Sequence, residues 1–257
     1  MKEDLTVIIP VDRLDENTKP LFDKALESAL EQGADVKVIV VGPKAEIEKA
    51  KSEDDKSKRI VLVENEDVNL PKQVNVAVNE VKTTYFSVLE YDDTYSKNWF
   101  DNVDKYSEAY PGLFAYLPIN EVFDYKNGLN PIGYLNEPVW ASSFSEKLGF
   151  FDNESLMNYV NVNCTGGVFN KDMFVEIGGL KESIKLAFWY EFILRANYKA
   201  KAIYVVPKVG LHHGVNRDGS LIDTYQKTMT PEESDWWLNL AREEYFFKKD
   251  RKKTYQE

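Results

Sequence analysis

Three acids in four residues, Glu90-Tyr91-Asp92-Asp93, follow directly on an apolar run at 85–89 that reads as a strand. In an open parallel sheet, ligands sit outside the carboxyl ends of the strands, so acids at such an end are the first place to look for chemistry. Carboxylate oxygens are hard donors that suit Mg²⁺ or Mn²⁺, and one or two of them commonly share such an ion with the phosphates of a substrate. The chain has two histidines, His212 and His213, which stand together after the last predicted strand and Pro207. From a loop at a neighbouring strand end either imidazole could add a nitrogen to the same ion, with His213 preferred over His212. The plainer reading has the acids capping the next helix or facing water, and the histidines at the surface or the core edge. A further acid, Glu191, stands among Phe188, Trp189, Tyr190, Phe192 and Ile193. Desolvation there would raise its pKa and suit a general base, whereas Arg195, four residues on, offers a helical ion pair that would keep it charged and structural.

Strand-length apolar runs alternate with helical patterns through the first half, which is the signature of βαβ units and an α/β fold. The pattern predicts strands at 5–10, 36–41, 60–64 and 85–89, helices over 19–32 and from near Pro71, and a short helix from Ala45. In the first helix Leu21, Phe22, Ala25, Leu26, Ala29 and Leu30 share one stripe, with Thr18 as N-cap, Pro20 in the first turn and Gly33 beyond the end. The charged stretch 52–59 reads as a solvated loop. The second half is less regular. A helix over 98–110 and a strand over 113–119 precede a hairpin turn at Asn127-Gly128 and an irregular, aromatic-rich insertion over 131–151. A strand over 165–170, a helix over 171–177, the Gly178-Gly179 break, an apolar helix over 186–197 and a strand over 201–206 follow. Residues 231–249 read as a terminal helix capped by Thr230, with Trp236, Trp237, Leu240, Tyr245 and Phe246 spaced to dock it on the domain or on a partner chain. The expected organisation is one domain over 1–225, divided into halves at 1–110 and 111–225, and a helical tail over 226–257.

With 257 residues and 43% hydrophobic content, the chain can bury a sizeable core. Its 43 acids against 32 bases give a net charge of −11, which repels polyanions and sets bulk nucleic-acid binding aside. The basic cluster Lys248, Lys249, Arg251, Lys252 and Lys253 then reads as a solvated helix end. A lone cysteine, Cys164, excludes an intrachain disulfide. The first apolar run, 5–11, is far shorter than the ~20 residues that span a bilayer. No membrane span and no signal peptide are expected, with a cytoplasmic location, and a homo-oligomer is left open.

The order of these pieces resembles the family-two-type glycosyltransferases of the GT-A fold. Thr6-Val7-Ile8-Ile9-Pro10-Val11 is similar to that family's first strand, and Lys72-Gln73-Val74-Asn75 to the segment before the helix that leads to its DxD strand. Glu90-Tyr91-Asp92-Asp93 stands where the family has Asp-x-Asp-Asp. Thr165-Gly166-Gly167-Val168-Phe169, followed by Ile177-Gly178-Gly179-Leu180, resembles its acceptor-side strand and the turn after it. The resemblance covers roughly 5–213. It implies a Rossmann-like, mostly parallel central sheet flanked by helices, with a C-terminal helical tail. It also implies a nucleotide-sugar donor, a UDP- or GDP-sugar, held near Pro10, Val11, Gly42, Lys72, Gln73, Asn75, Glu90, Tyr91 and Asp92. Mn²⁺ or Mg²⁺ would be held by Asp92 with His213 or His212, the acceptor side would include Trp140, Gly166, Gly167 and Trp189, and Glu191 would be the catalytic base. Three positions depart from the pattern. Gly42-Pro43 ends the second strand where the family has a base-binding aspartate, Glu90 replaces the first aspartate, and no Glu-Asp pair precedes Glu191.

The implied reaction is sugar transfer to an acceptor hydroxyl with inversion. A cation would stabilise the charge on the departing phosphate, and a base would take the acceptor's proton. The acceptor is open between a glycan, a lipid carrier, a protein and a modified nucleic-acid base. Tyr134, Trp140, Phe144, Phe150 and Phe151 could stack on sugars, or could form a second small core under the insertion. A noncatalytic binding or assembly module and a nucleotidyltransferase stay open as alternatives.

Overall fold

The structure, a computed structural model, describes residues 1–50 and 59–247. Its first half alternates β1 (Leu5–Pro10), α1 (Lys19–Leu30), β2 (Lys37–Gly42), the single-turn α2 (Lys44–Ile47), β3 (Ile60–Glu64), α3 (Leu70–Glu80) and β4 (Tyr85–Val88). β5 (Thr94–Tyr95), α4 (Trp99–Ala109), β6 (Ala115–Asp124), β7 (Asn130–Leu135) and α5 (Asn153–Asn158) come next. The described chain ends with β8 (Val168–Asn170), α6 (Lys171–Glu176), α7 (Phe188–Tyr198), β9 (Ile203–Val215), α8 (Leu221–Thr228), α9 (Pro231–Arg242) and a π-helical turn, Glu243–Phe247.

Among the described residues the strands form one sheet in the order β3-β2-β1-β4-β8-β6-β9-β5, with β7 paired to β6. β3, β2, β1 and β4 are mutually parallel, β6 and β9 are parallel, and β8 joins the two groups through antiparallel pairings. The chain runs outward from β1 to β3 and then returns to the other side of β1 as β4. The strand order therefore reverses between β1 and β4, and the carboxyl ends of those strands open a crevice.

Side chains alternate across this sheet. Val7 and Ile9 pack with Phe22, Ala25 and Ala29 of α1 and with Trp99 and Phe100 of α4. Ile8 faces the opposite core with Val74, Ala77 and Val78 of α3 and with Phe169, Phe174 and Phe192. Burial of each large apolar side chain contributes about 1.5–3 kcal/mol, so the two cores fix the strand ends that carry the acids.

The expected elements of the first half are present, with one change at a cap. Thr18 is buried and its hydroxyl serves the preceding turn, accepting from the Asp15 N–H at 2.8 Å, and makes no side-chain cap to α1. In the second half the structure corrects the reading more. β6 extends to Asp124, and β7 occupies the start of the expected irregular insertion, paired across the Asn127-Gly128 turn. β8 begins at Val168, because Gly166 adopts φ +78° and breaks the strand before it. β9 runs on to Val215, and α8 was not foreseen. Thr230 does cap α9, accepting from the Glu233 N–H at 3.2 Å, while Ala241 and Tyr245 are buried against the core beside α7. The stretch 52–58 and the basic cluster from Lys248 onward lie outside the described residues. No helix among the described residues is long and apolar enough to cross a membrane.

Candidate active site

The crevice between β1 and β4 holds a cavity of about 80 Å³ lined by Pro10, Asp12, Val68, Leu70, Gln73, Glu90, Tyr91, Asp92, Arg217, Ser220 and Leu221. β1 supplies Pro10, the start of α3 supplies Leu70 and Gln73, and the turn after β4 supplies the three residues from Glu90 to Asp92. The outer wall is the turn between β9 and α8. Gln73 is buried and its amide Nε2 donates to the Val11 carbonyl at 2.9 Å, which ties the first turn of α3 to the end of β1.

The acids are held in three different ways. Glu90 accepts from the Thr165 hydroxyl at 2.8 Å. Desolvation, reinforced by the charges of Asp93 and Asp92, pushes its pKa up to about 7. Asp92 Oδ2 accepts from Arg217 Nε at 2.7 Å, and the same guanidinium donates from Nη2 to the Tyr91 hydroxyl at 3.1 Å. Asp93 is buried, accepting from His213 Nδ1 at 2.9 Å and from the Gly214 N–H at 3.0 Å. Burial opposes the charge on His213, but the Asp93 carboxylate outweighs it and raises the imidazole to about 9.

His212 and His213 lie on β9, not in a loop, so consecutive side chains point to opposite faces of the sheet. His213 faces the acids. His212 faces away, with Nδ1 at 3.1 Å from Glu121 Oε2 and Nε2 at 3.2 Å from the Ser96 hydroxyl. The strand pairing Thr94↔His212 fixes that orientation.

Whether these groups could hold a divalent ion turns on which donor atoms are unengaged. Among the described residues, Asp92 Oδ1 and His213 Nε2 carry no hydrogen bond. An imidazole whose Nδ1 is fixed by a carboxylate presents Nε2 as its ligand atom, and an ion bound there displaces the imidazole proton. No group of three or more His, Cys, Asp or Glu among the described residues forms a metal site by itself. Asp92 and His213 thus each offer one unengaged donor atom, Asp92 from the cavity lining and His213 from outside it, and a cation on them would take its remaining oxygens from phosphate and water.

Of the other expected donor contacts, Pro10, Gln73, Glu90, Tyr91 and Asp92 line the cavity and four do not. The Val11 side chain is buried in the core. Gly42 gives close packing, since a Cβ there would strike the Val11 carbonyl oxygen. Lys72 pairs with Asp67 at 2.9 Å. Asn75 ties down the Gly178-Gly179 turn, donating to the Leu180 carbonyl and accepting from its N–H, both at 2.9 Å.

The expected acceptor-side residues are mostly packing groups. Trp189 is buried and stacked on Phe169 with centroids 5.8 Å apart, and Trp140 meets Tyr204 edge-on at 5.9 Å. Phe144 and Phe151 pack on Tyr159, and Phe150 on Tyr204, while Tyr134 is exposed on β7; the buried aromatics of the insertion join the two main cores and form no separate small core among the described residues. Gly166 lies next to the acids, its N–H donating to the Val88 carbonyl at 2.7 Å and its carbonyl accepting from Trp99 Nε1 at 2.8 Å. A Cβ on Gly167 would stand 2.5 Å from Leu117 Cδ2, so that glycine allows close packing behind the site.

Glu191 sits in an ion-paired core position, as the reading that paired it with Arg195 expects. Its carboxylate is buried and takes Arg195 Nε at 3.0 Å, Arg195 Nη2 at 2.9 Å, Lys181 Nζ at 2.9 Å and the Tyr245 hydroxyl, and it does not line the cavity. Sequence reasoning missed Asp12, Arg217 and Ser220. Asp12 stands two residues past the end of β1 and could have been found by the rule that singled out Asp92; the other two sit in a polar turn with no distinguishing local signal.

No protein-family model matches the chain, and no curated protein sequence does. Solved structures do. Residues 1–349 of Staphylococcus aureus TarS, crystallised with UDP-GlcNAc, match at TM-score 0.67 with 17% identity, over 93% of this chain and 65% of that one. The same protein with UDP matches at TM-score 0.62 and 16% identity, over 93% and 71%. The mannosyltransferase PcManGT of Pyrobaculum calidifontis, in complex with GDP-Man and Mn²⁺, matches at TM-score 0.62 and 14% identity, over 93% and 69%. The chain thus spans about two thirds of the length of the first of these structures. At such identities the likeness is one of architecture, and on it, together with the sheet order and the crevice between β1 and β4, the chain has the GT-A fold.

Proposed function

We propose that the chain is a glycosyltransferase that takes a nucleotide-diphosphate sugar, a UDP- or GDP-sugar, as donor and uses Mn²⁺ or Mg²⁺ at Asp92 and His213. The observation that carries this reading is the acid-lined cavity at the reversal of strand order, with Asp12, Glu90 and Asp92 converging beside Arg217. The TarS and PcManGT complexes, with UDP-GlcNAc and with GDP-Man and Mn²⁺, support it from outside the chain. In this reading Pro10, Leu70 and Gln73 flank the nucleoside, and Asp12 and Glu90 offer acceptors to ribose hydroxyls. Asp93 holds His213 in register. A bound cation would neutralise charge on the departing nucleoside diphosphate.

A second reading, a GT-A module that binds donor without transferring sugar, is favoured by the ion-paired burial of Glu191. Thermal shift with UDP and GDP, each with Mn²⁺, tests the common step: at least one pair raises the melting temperature, and Asp92→Ala abolishes the rise. Absence of a shift with every nucleotide overturns both readings. Release of nucleoside diphosphate from a UDP- or GDP-sugar selects the enzyme, and no release from any donor that binds selects the module.

A further inference from the structure

Arg217 is the one cation among the described residues that lines the cavity. Its guanidinium lies 5.2 Å from the Tyr91 ring centroid, donates from Nε to Asp92 and from Nη2 to the Tyr91 hydroxyl, and leaves Nη1 without a hydrogen bond among the described residues. The pair is sheltered, with Arg217 and Asp92 side chains 12% and 11% exposed. Two opposing requirements meet at this residue. A divalent ion on Asp92 and a guanidinium on the same carboxylate attract the same charge and repel each other. A diphosphate, in contrast, enters a cavity whose other charged lining groups are the carboxyls of Asp12, Glu90 and Asp92, and is held only if cations there outweigh them. The planar fork of a guanidinium suits phosphate oxygens, and Arg217 stands on the short turn between β9 and α8, within side-chain reach of the cavity.

Building on the donor-site reading, we propose that Arg217 is a ligand of the donor diphosphate that rests on Asp92 until a divalent ion takes that carboxylate. Arg217 then has opposite effects on the two ligands: it weakens binding of the ion alone and strengthens binding of the nucleotide once the ion is present. Through this exchange, ion and nucleotide each favour the other's binding.

Calorimetric titration of wild type, Arg217→Gln and Arg217→Lys tests this, first with MnCl₂ alone and then with UDP or GDP at saturating Mn²⁺, with melting curves to confirm folding. In Arg217→Gln, Mn²⁺ alone binds at least about threefold tighter and the nucleotide at least about tenfold weaker, the loss of a charged hydrogen bond. Arg217→Lys falls between wild type and Arg217→Gln in both titrations. A variant in which both ligands weaken makes the residue merely structural and overturns the proposal, as does unchanged nucleotide affinity. Wild type that binds neither nucleotide removes the donor site itself and this inference with it. Wild type that binds one, beside an Arg217→Gln that binds it equally, removes this inference alone.

Discussion

Arg195 follows Glu191 by one turn of α7 and grips its carboxylate with two charged hydrogen bonds, at 3.0 and 2.9 Å, inside the core. Two further guanidinium hydrogens reach the Ile177 and Gly179 carbonyls, each at 2.7 Å, so the pair also holds the Gly178-Gly179 turn. Replacing Glu191 by alanine leaves Arg195 buried and unpaired, which costs about 3–5 kcal/mol in urea unfolding. Nucleotide affinity of the folded fraction stays within about twofold, since distant sites act independently. A Glu191→Ala protein of wild-type stability would contradict the ion-pair assignment.

Gly42 closes β2 against the carbonyl of Val11. Gly42→Ala forces the ends of β1 and β2 apart, and the expected loss is about 1–3 kcal/mol, the usual range for overpacking. The midpoint of urea unfolding at constant slope measures it.

Gln73 donates to the same carbonyl. Gln73→Ala strands a buried acceptor and lowers stability by about 1–3 kcal/mol. Because Gly42 and Gln73 share Val11, the double variant departs from the sum of the singles by more than about 0.5 kcal/mol, a coupling that a double-mutant cycle reads directly.

Asp152 heads α5 with a reciprocal capping box: its carboxylate accepts from the Ser155 N–H at 2.8 Å and from the Glu146 N–H at 2.9 Å. Burial works against its charge, but those donors outweigh it and lower its pKa below the usual carboxylate value. A carboxylate lowered in this way stabilises the fold fully above its unfolded pKa of about 3.9, and the contribution disappears as pH falls through the lower folded value. Asp152→Ala costs about 1 kcal/mol at pH 7. In acid titrations followed by circular dichroism, the gap between variant and wild type closes below about pH 4.

The parallel half of the fold is legible from the sequence because its signals are local: Val7, Ile8 and Ile9 read as a doubly buried strand, and Phe22, Ala25, Leu26 and Ala29 as one helical face. Glu90 and Asp92 are legible for the same reason, as acids at a strand end. What stays hidden depends on pairing between distant segments. β9 is misread as ending at Val206 because Pro207 and Gly210 look like strand breakers, yet parallel pairing with β6, with register shifts around Ile119, carries it to Val215. That extension decides that His213 faces Asp93 and His212 does not. Glu191 is ambiguous for another cause, since its burial and its i,i+4 partner are both written in the sequence, while the further partners Lys181, from the preceding loop, and Tyr245, from 54 residues on, are not signalled by helical spacing.

β5, one residue beyond Asp93, has β9 as its sole strand neighbour among the described residues, through Thr94↔His212 and Tyr95↔Leu211. During synthesis β5 lacks its strand partner until more than a hundred further residues have been made, although Ser28 and Ser87 already reach Tyr95, and Tyr125 and Thr165 reach Asp92 and Glu90 before β9 emerges. Chains ending before Leu211 therefore lack the strand that pairs with β5. The site is completed by the last strand among the described residues to emerge, and its assembly is a late event of biosynthesis.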